Sequence, residues 1–127
     1  EPDACGDQAL KTLPLIQQVF VTAPEHMSTD AFRRRLFVAR RRAEQKLEGA
    51  DPVFYIASLS ADTLAYKAMV MPEQLPRFYP DLADERLVAR ICVFHQRFST
   101  NTLPQWRLAQ PFRYLAHNGE INTIQGN

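Results

Sequence analysis

Cysteine is scarce in this 127-residue sequence: Cys5 and Cys92 are its two thiols, far apart, with no CxxC pair and no Cys/His cluster at ligand spacing. That argues against a zinc module and against a disulfide framework, and it makes a reducing cytoplasm the expected compartment. An excess of charge is missing too. Fifteen basic residues face 14 acidic ones for a net charge of +1, so neither nucleic acid nor an anionic membrane is expected as a general partner. No apolar run approaches the roughly 20 residues needed to span a bilayer. The opening EPDACGDQ has neither the basic nor the apolar region of a signal peptide. It also lacks a starting Met, and the closing INTIQGN carries no polar tail, so both ends read as cut from a longer chain. There is no internal repeat and no low-complexity tract.

What is present fits one domain or part of one. The 46% apolar share is ordinary for a globular protein, and a complete fold of this size would bury about two thirds of its unfolded surface. Leu10, Leu13 and Ile16 sit at helical spacing, but Pro14 shortens or breaks any helix over 7–18. Residues 18–21 read as a short strand. The clearest helix covers 30–48, capped by Ser28 or Thr29, with Asp30 in the first turn and Gly49 at its end. Phe32, Leu36, Ala39, Ala43 and Leu47 form its apolar stripe, and Arg33, Arg34, Arg35, Arg40, Arg41, Arg42 and Lys46 its other face.

Residues 53–59 and 63–71 flank a 60–62 turn and read as an antiparallel hairpin whose first strand is apolar on both faces. Pro76 and Pro80 punctuate a loop and short helix over 72–84. A long strand is expected over 86–98, burying the Cys92 thiol, and a short one over 112–116 beyond a Pro-containing loop at 100–110. This order of helices and strands favours an α+β fold, a mixed sheet with helices packed on it.

Each candidate site residue has a plain reading beside its functional one. The cationic helix face reads as a solvated or interdomain surface rather than an RNA or lipid contact, because the remainder of the chain is not basic. His26 has no partner at useful spacing and reads as a surface residue. His95 reads as a strand-end histidine more readily than as a base. Cys5-Gly6 is a poor nucleophile candidate, since four residues precede it and Asp7-Gln8 follow in place of an apolar strand. Arg97, at the end of an apolar run, needs an anion or water; a structural salt bridge and capture of a ligand carboxylate through its planar fork both fit. Ser99, Thr100, Asn101 and Thr102 add hydroxyl, amide and backbone donors. At His117-Asn118-Gly119-Glu120 a plain Asn-Gly turn fits, and so does an oxyanion hole built from the Asn118 amide and the Gly119 N–H.

Taken together, the run His95-Gln96-Arg97-Phe98-Ser99-Thr100-Asn101-Thr102, then Pro104, Trp106, Ala109-Gln110-Pro111, Leu115-Ala116-His117-Asn118-Gly119-Glu120-Ile121-Asn122-Thr123 and Gly126-Asn127 resembles the glutaminase domain of glutamate synthases. These are class II, N-terminal-nucleophile glutamine amidotransferases. The Ser-Thr-Asn-Thr and Gly-Glu-Ile-Asn-Thr runs with the closing Gly-Asn point to that group within the class. Residues 18–21, 55–67 and 78–82 look similar more weakly, and Ala68 stands where the group usually has Gly.

The resemblance implies an αββα four-layer sandwich spread over 1–127 as a partial amidotransferase domain, incomplete at both ends. In the family an N-terminal Cys attacks the amide of L-glutamine, with its own α-amino group as base. Carried over by motif, Arg97 binds the substrate α-carboxylate, Thr100 helps position it, and Asn118 and Gly119 hold the oxyanion; His117 and Glu120 shape the loop. The nucleophile and the acidic residue that binds the substrate α-amino group have no match here. The expected entity is therefore an internal piece, inactive alone, with apolar sheet edges left open. FMN, an iron–sulfur cluster and a reduced cofactor or ferredoxin are implied for the remaining domains of the same polypeptide, with none bound by this segment. A small NADPH-oxidising subunit is an implied partner, and nucleic acid and membrane are not. A class II amidotransferase with another ammonia acceptor, such as a phosphoribosyl or hexosamine substrate, is one alternative. A non-catalytic module binding partners through the Arg-rich helix 30–48 is the other.

Overall fold

The computed structural model describes residues 2–97 and 103–109. The expected 112–116 strand lies outside these, as do Thr100, Asn118 and Gly119. Three α-helices occur among the described residues: α1 (Asp7–Leu10), α2 (Thr29–Leu47) and α3 (Leu75–Phe78). The chain divides into two compact units, Ile16–Tyr66 and Glu1–Leu15 with Lys67–Asn127.

In the first unit α2 forms where the sequence places it. Ser28 is its N-cap, in extended conformation, and its Oγ accepts the Ala31 N–H at 3.3 Å. Asp30 in the first turn accepts from Arg33 at 3.1 Å, favourable both to the dipole and at i,i+3 spacing. The buried stripe differs from expectation in one position. Leu36 and Arg40 are buried, Phe32, Ala43 and Leu47 half-buried, and Ala39 exposed. Intervals of 4, 4, 3 and 4 put Arg40 on the stripe, and its long stem and a Glu44 carboxylate 3.7 Å from Nε let it stay there. The C-terminus differs as well. Gly49 does not adopt a left-handed conformation; instead Ala50 and Asp51 N–H groups donate to the Leu47 carbonyl at 3.0 and 2.7 Å, and Pro52 disfavours helix at the residue before it.

Loop chemistry orders the remainder of this unit. His26 takes the one positive φ among the described non-glycine residues, 66°, in a turn closed by Met27 N–H to the Pro24 carbonyl at 3.2 Å; histidine is among the residue types that tolerate this region. The 60–62 turn is held by Ser60 Oγ, which accepts from the N–H groups of Asp62 and Thr63 at 3.1 and 3.3 Å. Asp62 then takes both forks of Arg33, Nε and Nη2, at 2.8 Å each.

The second unit gathers around α3. Prolines open the 3₁₀ turns Pro72–Gln74 and Pro80–Ala83, and Pro76 lies in the first turn of α3, positions where a missing N–H is harmless. Phe78 is buried against Tyr79 (centroids 4.8 Å, planes at 87°) and Trp106 (5.9 Å). Ala4, Cys5, Ala9 and Ala109 complete the buried apolar set, and Arg77 pairs with Asp3.

The strand expectations are corrected. Among the described residues no strand ladder occurs at 18–21, 53–59, 63–71 or 86–97, and pairing is limited to an isolated antiparallel bridge between Cys5 and Val70. β-type composition makes a strand only where a neighbour supplies the matching N–H and C=O groups. Val19, Phe20, Val88, Ile91 and Phe94 are consequently exposed, and so is the Cys92 thiol expected to be buried. No helix among the described residues is long and apolar enough to cross a membrane.

Candidate substrate site

Of the residues expected to handle substrate, Arg97 is described, and it is exposed, as is His95 two residues before it. Its guanidinium thus avoids the heavy cost of burial without a partner, and it is accessible to an incoming anion. Thr100, Asn118 and Gly119 lie outside the described residues, with Ser99, Asn101, Thr102, His117 and Glu120.

Six residues beyond Arg97 the described chain resumes at Leu103, which is exposed, and then dives inward. Trp106 opens the 3₁₀ turn Trp106–Leu108 and is 5% exposed; Ala109 is buried behind it. What holds this turn is Lys67, which sequence reasoning did not single out. Lys67 Nζ donates to the Arg107 carbonyl at 3.2 Å, and the Tyr79 hydroxyl donates to the Lys67 carbonyl at 2.7 Å. Burial pushes the Lys67 ammonium down to about 8, because desolvation penalises its charged form. The available signal was a lone cation inside the apolar run Tyr66-Lys67-Ala68-Met69-Val70, a place where lysine is rarely found.

Cys5 is buried, its thiol pushed up by desolvation, and its N–H donates to the Pro2 carbonyl at 2.9 Å. A raised thiol pKa leaves less thiolate to attack anything, and a peptide nitrogen is no base. No group of three or more His, Cys, Asp or Glu that would hold a metal occurs among the described residues. On α2, Asp62 holds the Arg33 guanidinium well above its ordinary value, and Arg33 holds the Asp62 carboxyl low. Arg41 pairs with Glu44 at 2.8 Å, so part of the cationic face is already engaged within its own unit.

A sequence profile of class-II glutamine amidotransferases matches residues 1–127. The chain belongs to this family. Among its relatives, this amidotransferase chain is 50% identical over 126 residues to the glutamate synthase [NADPH] large chain of Azospirillum brasilense, covering 98% of the chain. It is 48% identical over 125 residues, 96% of its length, to the glutamate synthase [NADPH] large chain of Bacillus subtilis. The ferredoxin-dependent glutamate synthase 1, chloroplastic/mitochondrial, of Arabidopsis thaliana is 47% identical over 124 residues, again 96% of the chain. The chain spans 8% of the length of each of these relatives.

Proposed function

We propose that this amidotransferase chain is part of the glutaminase domain of a glutamate synthase, a domain that releases ammonia from L-glutamine for reductive transfer to 2-oxoglutarate, forming L-glutamate. The observation carrying this reading is the 50% identity over 98% of the chain to a glutamate synthase large chain. The four substrate-facing residues take the following roles. Arg97 pairs through its fork with the glutamine α-carboxylate, and Thr100 helps position the substrate. A cysteine thiolate attacks the side-chain amide carbon, and the Asn118 amide and Gly119 N–H donate to the oxygen that becomes negative. The proton that the cysteine's free α-amine took from the thiol passes to the amide nitrogen, so collapse of that intermediate expels ammonia and leaves a thioester, which water hydrolyses to glutamate and the free thiol. We assign the thiolate to neither Cys5 nor Cys92, since each has its α-nitrogen locked in a peptide and the family's nucleophile uses that nitrogen as a free amine.

In this reading residues 1–127 form part of an αββα four-layer sandwich, and the exposed apolar residues at 18–21 and 86–94 are sheet positions whose neighbours come from the rest of that sandwich rather than from the remaining domains of the same polypeptide. FMN and an iron–sulfur cluster belong to those domains, along with contact to a small NADPH-oxidising subunit, and the cytoplasm is the compartment implied. Relatives named for NADPH and for ferredoxin align at nearly equal identity, so the choice of electron donor is made outside this segment.

In the full-length protein, Arg97→Ala removes a charge-assisted pair of roughly 1.5–3 kcal/mol, and the glutamine KM should rise about 10- to 100-fold. Steady-state glutaminase assays check this. Unchanged glutamine kinetics would overturn the assignment.

A further inference from the structure

Every Arg and Lys of Ile16–Tyr66 lies on α2, so the positive charge of that unit is gathered on one helix. Part of it is neutralised within the unit. Arg33 is held by Asp30 and Asp62, Arg41 by Glu44, and Arg40 is buried beside the same Glu44. Arg34, Arg35, Arg42 and Lys46 are exposed and have no ion pair or hydrogen bond among the described residues. At about 3.6 residues per turn, Asp30, Glu44 and Glu48 fall on the Arg33 side of the helix. Arg35, Arg42 and Lys46 fall on the opposite side, with Arg34 and Val38 between the two, and Val38 is 44% exposed. The cations without carboxylates thus line a strip about 16 Å long, at 1.5 Å of rise per residue from 35 to 46.

Within its own unit this strip only costs stability, since Arg42 and Lys46 are like charges at i,i+4 spacing. Its composition selects among partners. A membrane-surface helix must offer its apolar face, and that of α2 is turned inward, with Leu36 7% exposed. Nucleic acid needs a wider basic footprint, and Ile16–Tyr66 has no Arg or Lys off α2 to supply one. Arginine around an exposed valine suits a protein surface: the planar forks match carboxylates, and arginine is enriched in protein interfaces where lysine is depleted. We infer that the strip of Arg34, Arg35, Val38, Arg42 and Lys46 docks a carboxylate-bearing surface elsewhere in the same polypeptide. This rests on the reading of residues 1–127 as part of a longer chain; they span 8% of the length of each relative named above. A surface tethered to the same chain meets the strip at high effective concentration, so a few ion pairs are enough to hold it.

The test uses the full-length protein. A water-soluble carbodiimide activates a carboxyl group and joins it to an adjacent amine as an amide, releasing a urea; of the strip residues, Lys46 alone carries an amine. Peptide mass spectrometry should find Lys46 joined to an Asp or Glu of the same chain outside residues 1–127. Arg35→Glu combined with Arg42→Glu should cut that product about tenfold, because like charges then face each other. If this variant does not fold, Arg35→Gln combined with Arg42→Gln decides, with a drop of about threefold from charge removal alone. Lys46 joined to nothing beyond residues 1–127, or a yield indifferent to both variants, overturns the proposal. A product linking Lys46 to a different chain, revealed by mixing light- and heavy-nitrogen protein, overturns it as well. So does retention of single-stranded RNA by the wild type and not by the variants, which would assign the strip to nucleic acid. The Arg97→Ala kinetics judge the glutaminase reading separately, since no residue of α2 enters it.

Discussion

A lysine drawn into an apolar interior must give up either its water or its proton. Lys67 is pushed down to about 8 by desolvation, against an ordinary value near 10.4 for a free lysine. Between these two pH values the unfolded chain holds a proton that the folded chain has released, so stability rises as pH increases from about 8 to about 10.5 and is insensitive to this group below 8. The rise amounts to at most about 3 kcal/mol, at 1.36 kcal/mol per pKa unit. Urea midpoints measured at pH 7 to 10 for the wild type and Lys67→Met should diverge over that window; parallel curves would mean Lys67 stays charged when folded. Arg40 meets the same problem differently, keeping its charge and finding Glu44 one helical turn on. Each burial left only a weak trace in the sequence, Lys67 as a lone cation in an apolar run and Arg40 at the spacing of the α2 stripe, and hydropathy by itself marks both as surface residues. The proposal for Arg97 rests on a local pattern, an arginine followed by hydroxyl and amide residues.

At the level of elements, success followed locality. The start of α2 is written in Ser28 and Asp30, both within hydrogen-bonding reach of the residues they serve. Ser28→Ala should cost about 1 kcal/mol, lowering Tm by a few degrees; calorimetry checks it, and an unchanged Tm would mean the cap is replaced by water. The short α3 was likewise marked by its prolines. The stretches at 53–59 and 63–71 have the composition of strands, yet pairing depends on residues far away, and composition carries no record of whether a ladder partner is at hand. For the same reason the end of α2 was misread: Gly49 is a helix-stop signal in isolation, while the observed ending uses the Leu47 carbonyl and Pro52.

Across the whole molecule the two thiols report on which runs are covered. Cys92 is exposed and Cys5 buried with its thiol pushed up. On residues 1–127 alone, a maleimide at pH 7 should therefore label Cys92 within minutes and Cys5 only after denaturation, as read by peptide mass spectrometry; equal labelling would contradict the packing around Ala4, Cys5 and Ala9. The Asp3–Arg77 pair has a different kind of consequence. It joins residues 74 positions apart, and closing a loop of that length opposes folding by about 4 kcal/mol of chain entropy. Residues Ile16–Tyr66, by contrast, form a unit from one uninterrupted stretch. The order of assembly follows from this difference. The continuous stretch, which carries α2, is expected to collapse first on its local contacts and the discontinuous unit to close after it; pulse-labelled hydrogen exchange should then show protection over Thr29–Leu47 before protection over 67–79, and simultaneous protection would refute that order.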